Sequence, residues 1–196
     1  MREAVEHIKV PKLRFPEFSG EWGSNQLQEL CAKKISYGIV QAGPHVNGGM
    51  PYIKRQNLSG KLDMSTLQRT SAVIAAKYHR SEVQPGDLVF SLRGNLGAIQ
   101  EVPNSIPKAN LTQGTARISV LQNYDTAYVR SVLASPSIVK AINQRGKGST
   151  FQEISLADLR SLPINAPFSL REQQKIGDFL TAVDEKIGKL KRKKEL

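Results

Sequence analysis

The chain has 196 residues, 39% of them apolar and 23% charged, and its 28 Lys+Arg against 17 Asp+Glu leave a net charge of +11. That length holds one sizeable core with an appendage. It contains no run near the roughly 20 apolar residues of a membrane-spanning helix, and Met1-Arg2-Glu3-Ala4 opens no signal peptide, so the expectation is a cytoplasmic chain with no membrane partner.

Residues 1–12 are polar and read as a loosely ordered arm. "PKLRFPEFSGEW" (11–22) alternates prolines, aromatics and charges, which suits an extended segment laid on a core through Phe15, Phe18 and Trp22. Apolar positions 27, 30, 31 and 35 predict a short helix over 26–35. Glycine-rich 38–51 reads as a loop, and "YIKRQNL" (52–58) as a strand. Residues 72–80 predict a short helix. Pro85-Gly86-Asp87 turns into Leu88-Val-Phe-Ser-Leu92, an unbroken apolar run that suits a buried strand. Arg93-Gly94-Asn95 interrupts it, and Leu96–Val102 predicts the returning strand of a hairpin.

Period-two alternation marks 115–121 as a strand. Asp125 is placed to cap a helix through Ala134. Ser135-Pro136 starts another, with proline at the first helical position, and Gly146 sits where a terminating glycine belongs. Residues 160–167 predict an edge strand, because their prolines make a central position unsuitable. Ser169 and Glu172 have the spacing of a capping box, and they open a helix reaching residue 195, roughly 39 Å long. On it Ile176, Leu180, Val183, Ile187 and Leu190 form a heptad seam that calls for a partner helix, the alternative being a terminal helix folded back on its own core.

The charge excess points to a polyanion, nucleic acid above all. The last eight residues carry five basic groups and one acid, so most of the excess lies elsewhere. Catalytic signals are weak. His7, His45 and His79 have no acid or cysteine at ligand spacing, and Cys31 is the sole cysteine, which excludes an internal disulfide and an ordinary zinc site. "GKGST" (146–150) lacks the glycine and the hydroxyl positions of a phosphate-binding loop. Four loops, by contrast, join amide or guanidinium groups to small residues: Lys54-Arg55-Gln56-Asn57, Arg93-Gly94-Asn95, Thr112-Gln113-Gly114 and Gln144 to Thr150. Arginine suits guanine and amides suit adenine in the major groove, while small residues let backbone approach phosphate. Aromatic platforms are few (Tyr37, Tyr52, Tyr78), which favours duplex over single strands. A plainer reading has Arg93 pairing with a local acid, such as Asp87, and merely stiffening its turn.

"VPKLRFPEFSGEW", "PGDLVFSLRGNLGAI", "GKGSTFQEIS" and above all "LPINAPFSLREQQKIGDFLTAVDEKI" resemble the specificity (S) subunit of type I restriction-modification enzymes. The resemblance runs through residues 10–190, with Glu172-Gln173 and the Asp184/Ile187 region as its most specific parts. It implies a mixed α/β target recognition domain over 1–167 and a conserved spacer helix over 168–196. It implies a non-catalytic chain that binds double-stranded DNA and docks methyltransferase and restriction subunits. S-adenosylmethionine, ATP and magnesium would belong to those partners, and this chain would bind no cofactor.

On this reading the base readers are among Arg55, Gln56, Asn57, Arg93, Asn95 and Gln113, with Gly94 allowing close approach. The phosphate clamps are among Lys54, Lys77, Lys147, Ser149 and Thr150. Family members usually hold two recognition domains in tandem, whereas this chain has one, so it would be a half-subunit able to pair with itself, or a truncated form. The alternative function is an adaptor that docks on a methyltransferase through its helix while the loops stay idle.

Overall fold

The computed structural model describes residues 10–145 and 153–194. The expectations for residues 1–9 and for Gly146, Lys147, Ser149 and Thr150 lie outside the described residues. The chain is mixed α/β, as expected. In order it forms β1 (Trp22–Gln26), β2 (Met50–Ile53), β3 (Gln68–Thr70), α1 (Ala72–Lys77), β4 (Glu82–Val83), β5 (Leu88–Ser91), β6 (Ile99–Glu101), β7 (Ala109–Leu111) and β8 (Thr115–Ile118). Then follow α2 (Thr126–Leu133), α3 (Pro136–Arg145), α4 (Leu156–Arg160), β9 (Pro163–Pro167) and α5 (Leu170–Lys194).

Among the described residues the strands make three small sheets, ordered β1-β9, β3-β2-β7-β4 and β6-β5-β8. Two apolar cores lie between them. Leu88, Phe90 and Leu92 enter one, with Ile118, Val129, Leu133 and Leu159, while Val89 enters the other, with Ile53, Val83, Ile106 and Leu111. The apolar run is unbroken because β5 is the wall between two cores, so neither of its faces meets water. Each such side chain contributes roughly 1.5–3 kcal/mol by leaving solvent. On β8 only Ala116 and Ile118 join a core, and Thr115, Arg117 and Ser119 fill the opposite face, which accounts for its alternation.

Several local expectations need correction. The helix expected at 26–35 is a single 3-10 turn, Leu27–Leu30. Leu27, Leu30 and Ile35 are buried, but Cys31 bridges to Val120 and pulls the chain into extended form. The strand expected at 52–58 begins earlier and stops at Ile53, and Arg55–Ser59 is another 3-10 turn. The returning strand is shorter than 96–102, spanning Ile99–Glu101. Trp22 lies within a strand rather than on an arm. α4 ends on Arg160, the first residue expected in the last strand, and among the described residues β9 pairs only with β1, a true edge. The strands β3, β4 and β7 have two or three residues each, too short to show a period.

The helix starts are where expected. Asp125 Oδ1 accepts the Tyr128 N–H at 2.7 Å, and α3 opens on Pro136. The capping box before α5 is only half formed. Ser169 Oγ accepts from the Glu172 N–H at 3.3 Å, but the Glu172 carboxylate turns to Arg14, whose Nε and Nη2 each donate at 2.7 Å. This pairing raises the Arg14 pKa above its ordinary value. Gln173, also buried, accepts the Asp125 N–H and donates to Pro167 O, both at 2.9 Å. The Glu172-Gln173 pair thus clamps the N-terminal segment, α2 and β9 to the root of the long helix.

Gly177 continues the clamp. A Cβ there would stand 2.6 Å from Asp125 Oδ1 and 2.8 Å from Tyr128 N. Phe15 meets Phe179 edge-on at 5.8 Å. Beyond Thr181, which accepts from Arg130 at 2.9 Å, the helix leaves its own domain.

Candidate nucleic-acid interface

The topology gathers three of the four loops singled out by their composition. β2 and β7 run parallel, Tyr52 beside Asn110 and Ile53 beside Leu111. Lys54 and Thr112 therefore emerge at the same edge, and Thr112 N–H donates to Ile53 O at 3.1 Å. β8 starts at that edge with Thr115 opposite Ser91, so the chain leaving β5 passes directly over Gly114, and Leu92 N–H donates to Gly114 O at 3.0 Å. The segment following the fourth loop arrives there as well. Arg93 bridges to Glu153, and Ile154 N–H donates to Leu92 O at 2.9 Å.

At this tip two guanidinium groups converge on two glycines. Gly94 has φ of +75°, in the left-handed region that favours glycine. A Cβ on it would stand 2.2 Å from Arg55 Nη1. A Cβ on Gly114 would lie 3.2 Å from Arg93 Nε and 3.8 Å from Arg55 Cδ. Arg55 is exposed and Arg93 half-buried, and neither has a hydrogen-bond acceptor or a carboxylate within 4 Å among the described residues. Asp87 does not pair with Arg93. It is buried and committed to Ser119 Oγ at 2.5 Å and the Gln84 N–H at 2.9 Å, which overturns the stiffened-turn reading. The Arg93 carbonyl accepts from Ser91 Oγ at 3.0 Å, so the backbone is held while the guanidinium is unspent. Two forks of N–H donors with no acceptor among the described residues suit base edges or phosphate.

The other candidates differ in how free they are. Gln56 and Asn95 are exposed, and their side-chain amides have no partner among the described residues. Asn57 spends its amide oxygen on the Lys54 N–H at 2.8 Å, capping its own turn. Gln113 is half-buried, and its backbone N–H donates to Ile39 O at 2.8 Å. Lys54 donates to Gln68 Oε1 at 2.5 Å and lies 5.6 Å from the Tyr52 ring centre, so its ammonium is already engaged. Lys77 is exposed on the last turn of α1 and touches none of the tip groups. Tyr52 is buried, with its hydroxyl on Gln68 at 2.8 Å, and is no stacking platform.

Gly114 and Gly38 are also close-packing positions. A Cβ on Gly38 would fall 2.1 Å from Leu111 O, and no local pattern announces so close a crossing.

On α5 the seam divides. Ile176 packs on its own domain's core, so the expectation that it contacts a partner helix is corrected. Leu180, Val183, Ile187 and Leu190 are 38%, 37%, 45% and 54% exposed. A groove of about 770 Å³ runs from Leu13 and Phe15 past Trp22 and Ile138 to Phe179 and Leu180, continuous with the head of the seam. No described helix is long and apolar enough to cross a membrane.

Residues 19–196 match the family model described as the type I restriction modification DNA specificity domain. No curated protein matches the chain. Three solved structures are similar. One is a chain from a study of complex assembly and conformational transition of the type I R-M system, with a TM-score of 0.66 and 21% identity, covering 94% of this chain and 43% of that one. The second is the type I S subunit from M. genitalium, with 0.63, 17%, 94% and 44%. The third is the HsdS subunit from Thermoanaerobacter tengcongensis, with 0.62, 21%, 93% and 41%. At these identities they establish the fold, and the chain spans less than half the length of each.

Proposed function

The chain belongs to the family of type I restriction-modification DNA specificity domains, and from that premise we propose that it reads a half-site of duplex DNA through the tip formed by Arg55, Gly94, Arg93 and Gly114. The observation that carries this reading is the pair of guanidinium groups, without an acceptor among the described residues, held over two glycines. Arg93 and Arg55 are the principal base readers, Asn95 and Gln56 flank them, and Gln113 supports them from behind. Lys77, with Lys147, Ser149 and Thr150, clamps phosphates, while Lys54 is held on Gln68 and adds charge to the edge.

The chain itself is non-catalytic. Its partners are the methyltransferase and restriction subunits, which bring S-adenosylmethionine, ATP and magnesium. The exposed seam of α5 lies against the same helix of a second copy, which gives two identical readers and a symmetric, interrupted target. The exposure of Leu180, Val183, Ile187 and Leu190 supports that arrangement.

The test supplies the chain with its methyltransferase subunit and maps which bases become methylated. A palindromic, interrupted pattern is expected. Arg93→Ala should relax one position in each half and weaken binding by about 1–3 kcal/mol. Methylation with the same sequence preference in Arg93→Ala and Arg55→Ala chains would instead favour an adaptor whose loops are idle.

A further inference from the structure

A second cationic site lies away from the reading tip. A cavity of about 420 Å³ is lined by Lys33, His79, Arg80, Lys108 and Arg117 together with Glu82, and none of the tip residues reaches it. Its floor is Arg117, which projects from the polar face of β8 and is only 6% exposed. Arg117 Nη1 donates to the backbone carbonyl of Glu82 at 2.6 Å. Its Nε is shut off from water without an acceptor, and no carboxylate lies within 4 Å of the guanidinium among the described residues.

The one carboxylate in the lining, Glu82, is taken by Lys108 at 3.0 Å. Asp87, the neighbouring buried acid, is spent on Ser119 and Gln84. A buried guanidinium satisfied only by one neutral carbonyl is costly unless an anion completes it. Lys33 and Arg80 stand exposed at the mouth, with Arg80 stacked 5.9 Å from the Tyr78 ring centre. Four basic side chains, Lys33, Arg80, Lys108 and Arg117, therefore face one carboxylate around a concave site.

We propose that this cavity binds a phosphate group. Tetrahedral oxyanions match the planar donor fork of arginine, with lysines adding charge at the rim. The group could be carried by the DNA backbone beside the read half-site or by a free phosphate compound, and one experiment separates the two.

The full-length chain is melted in inorganic phosphate and in chloride at equal ionic strength, as wild type and as Lys33→Ala/Arg80→Ala. Both of these residues are exposed, so the variant should melt like wild type in chloride. Arg117→Gln is run beside it. Binding to duplex DNA is then measured against salt for the same chains. Phosphate should raise the wild-type melting temperature saturably, by roughly 3 °C at ten times its dissociation constant, and the double variant should lose that rise.

If the backbone is the source, the double variant also lowers the slope of log K against log salt by roughly 1 to 2 and leaves base preference unchanged. If the source is a free compound, the slope stays as in wild type. A rise that the double variant retains overturns the proposal, as does the absence of any rise together with an unchanged slope.

Discussion

Replacing Gly94 by alanine adds one methyl group where the reading tip is most crowded. The new Cβ would stand 2.2 Å from Arg55 Nη1 and 3.1 Å from Arg55 Cζ, whereas ordinary contact begins at 3.4 Å. The guanidinium must therefore retreat by more than an ångström. Arg55 is exposed and anchored only through its backbone, so moving it costs the fold little. The backbone itself costs more, because φ of +75° is worth roughly 1–2 kcal/mol against an L residue, a fall of roughly 2–8 °C in melting temperature at this chain length.

Binding should suffer separately. A bidentate arginine–base pair is worth about 1–3 kcal/mol of discrimination, and it needs both donors in register. Affinity for the preferred duplex should fall by roughly 5- to 150-fold, with preference lost at the position served by Arg55 and kept at the one served by Arg93. The assay is binding of the chain, with its methyltransferase subunit, to duplexes that differ by single base pairs at fixed salt. It compares wild type, Arg55→Ala, Gly94→Ala and the double variant. Because the methyl group acts through the arginine, the double variant should match Arg55→Ala within about 0.5 kcal/mol. Additive losses, or a Gly94→Ala chain that discriminates like wild type, would refute the reasoning.

Other expectations concern the helix and the lone thiol. Gly177→Ala drives a methyl into Asp125 and Tyr128 and should cost about 2 kcal/mol through overpacking and a disturbed cap, seen as a melting temperature lower by roughly 4–8 °C. Gly188→Ala, whose nearest neighbour is Arg192 Nη1 at 3.9 Å, should instead gain up to about 1 kcal/mol of helix propensity; equal melting of the two variants would mean that the root of α5 is not held as described. Val183→Asp with Ile187→Asp should leave melting nearly unchanged and abolish self-association in sedimentation equilibrium, and a variant that still pairs would remove the seam from the interface. Burial pushes the Cys31 thiol up to about 12, so the native state favours the protonated form and loses that contribution as pH rises from 9 towards 12. At pH 8 alkylation of the folded chain should run roughly a thousandfold slower than in denaturant, and comparable rates would show that the thiol is open to solvent.

Some of this architecture stands in the residue string itself. Asp125 and Pro136 act within a few residues of their own position, so their helix starts are legible wherever they occur. Leu88–Leu92 announces burial by composition, and residues 170–194 announce a long amphipathic rod whose outer half finds no cover in its own domain. The family, too, is legible, because the string around Glu172 and Gln173, which anchor the rod's root, carries the resemblance.

What those two residues do was decided by the tertiary structure. Their partners, Arg14 and the Asp125 backbone, lie far away in sequence, and the carboxylate left its local cap for a buried ion pair. The same holds at the tip. Nothing local says that the chain after Ile53 meets the turn after Leu111, or that Arg55 lies on Gly94, because parallel pairing of β2 with β7 joins distant segments. Nor does a period-two strand reveal that Arg117 will be buried with no counter-ion among the described residues. Short-range propensity and capping are written in adjacent residues, whereas which charges meet, and which are left unpaired, depends on how the two cores stack against their shared strand.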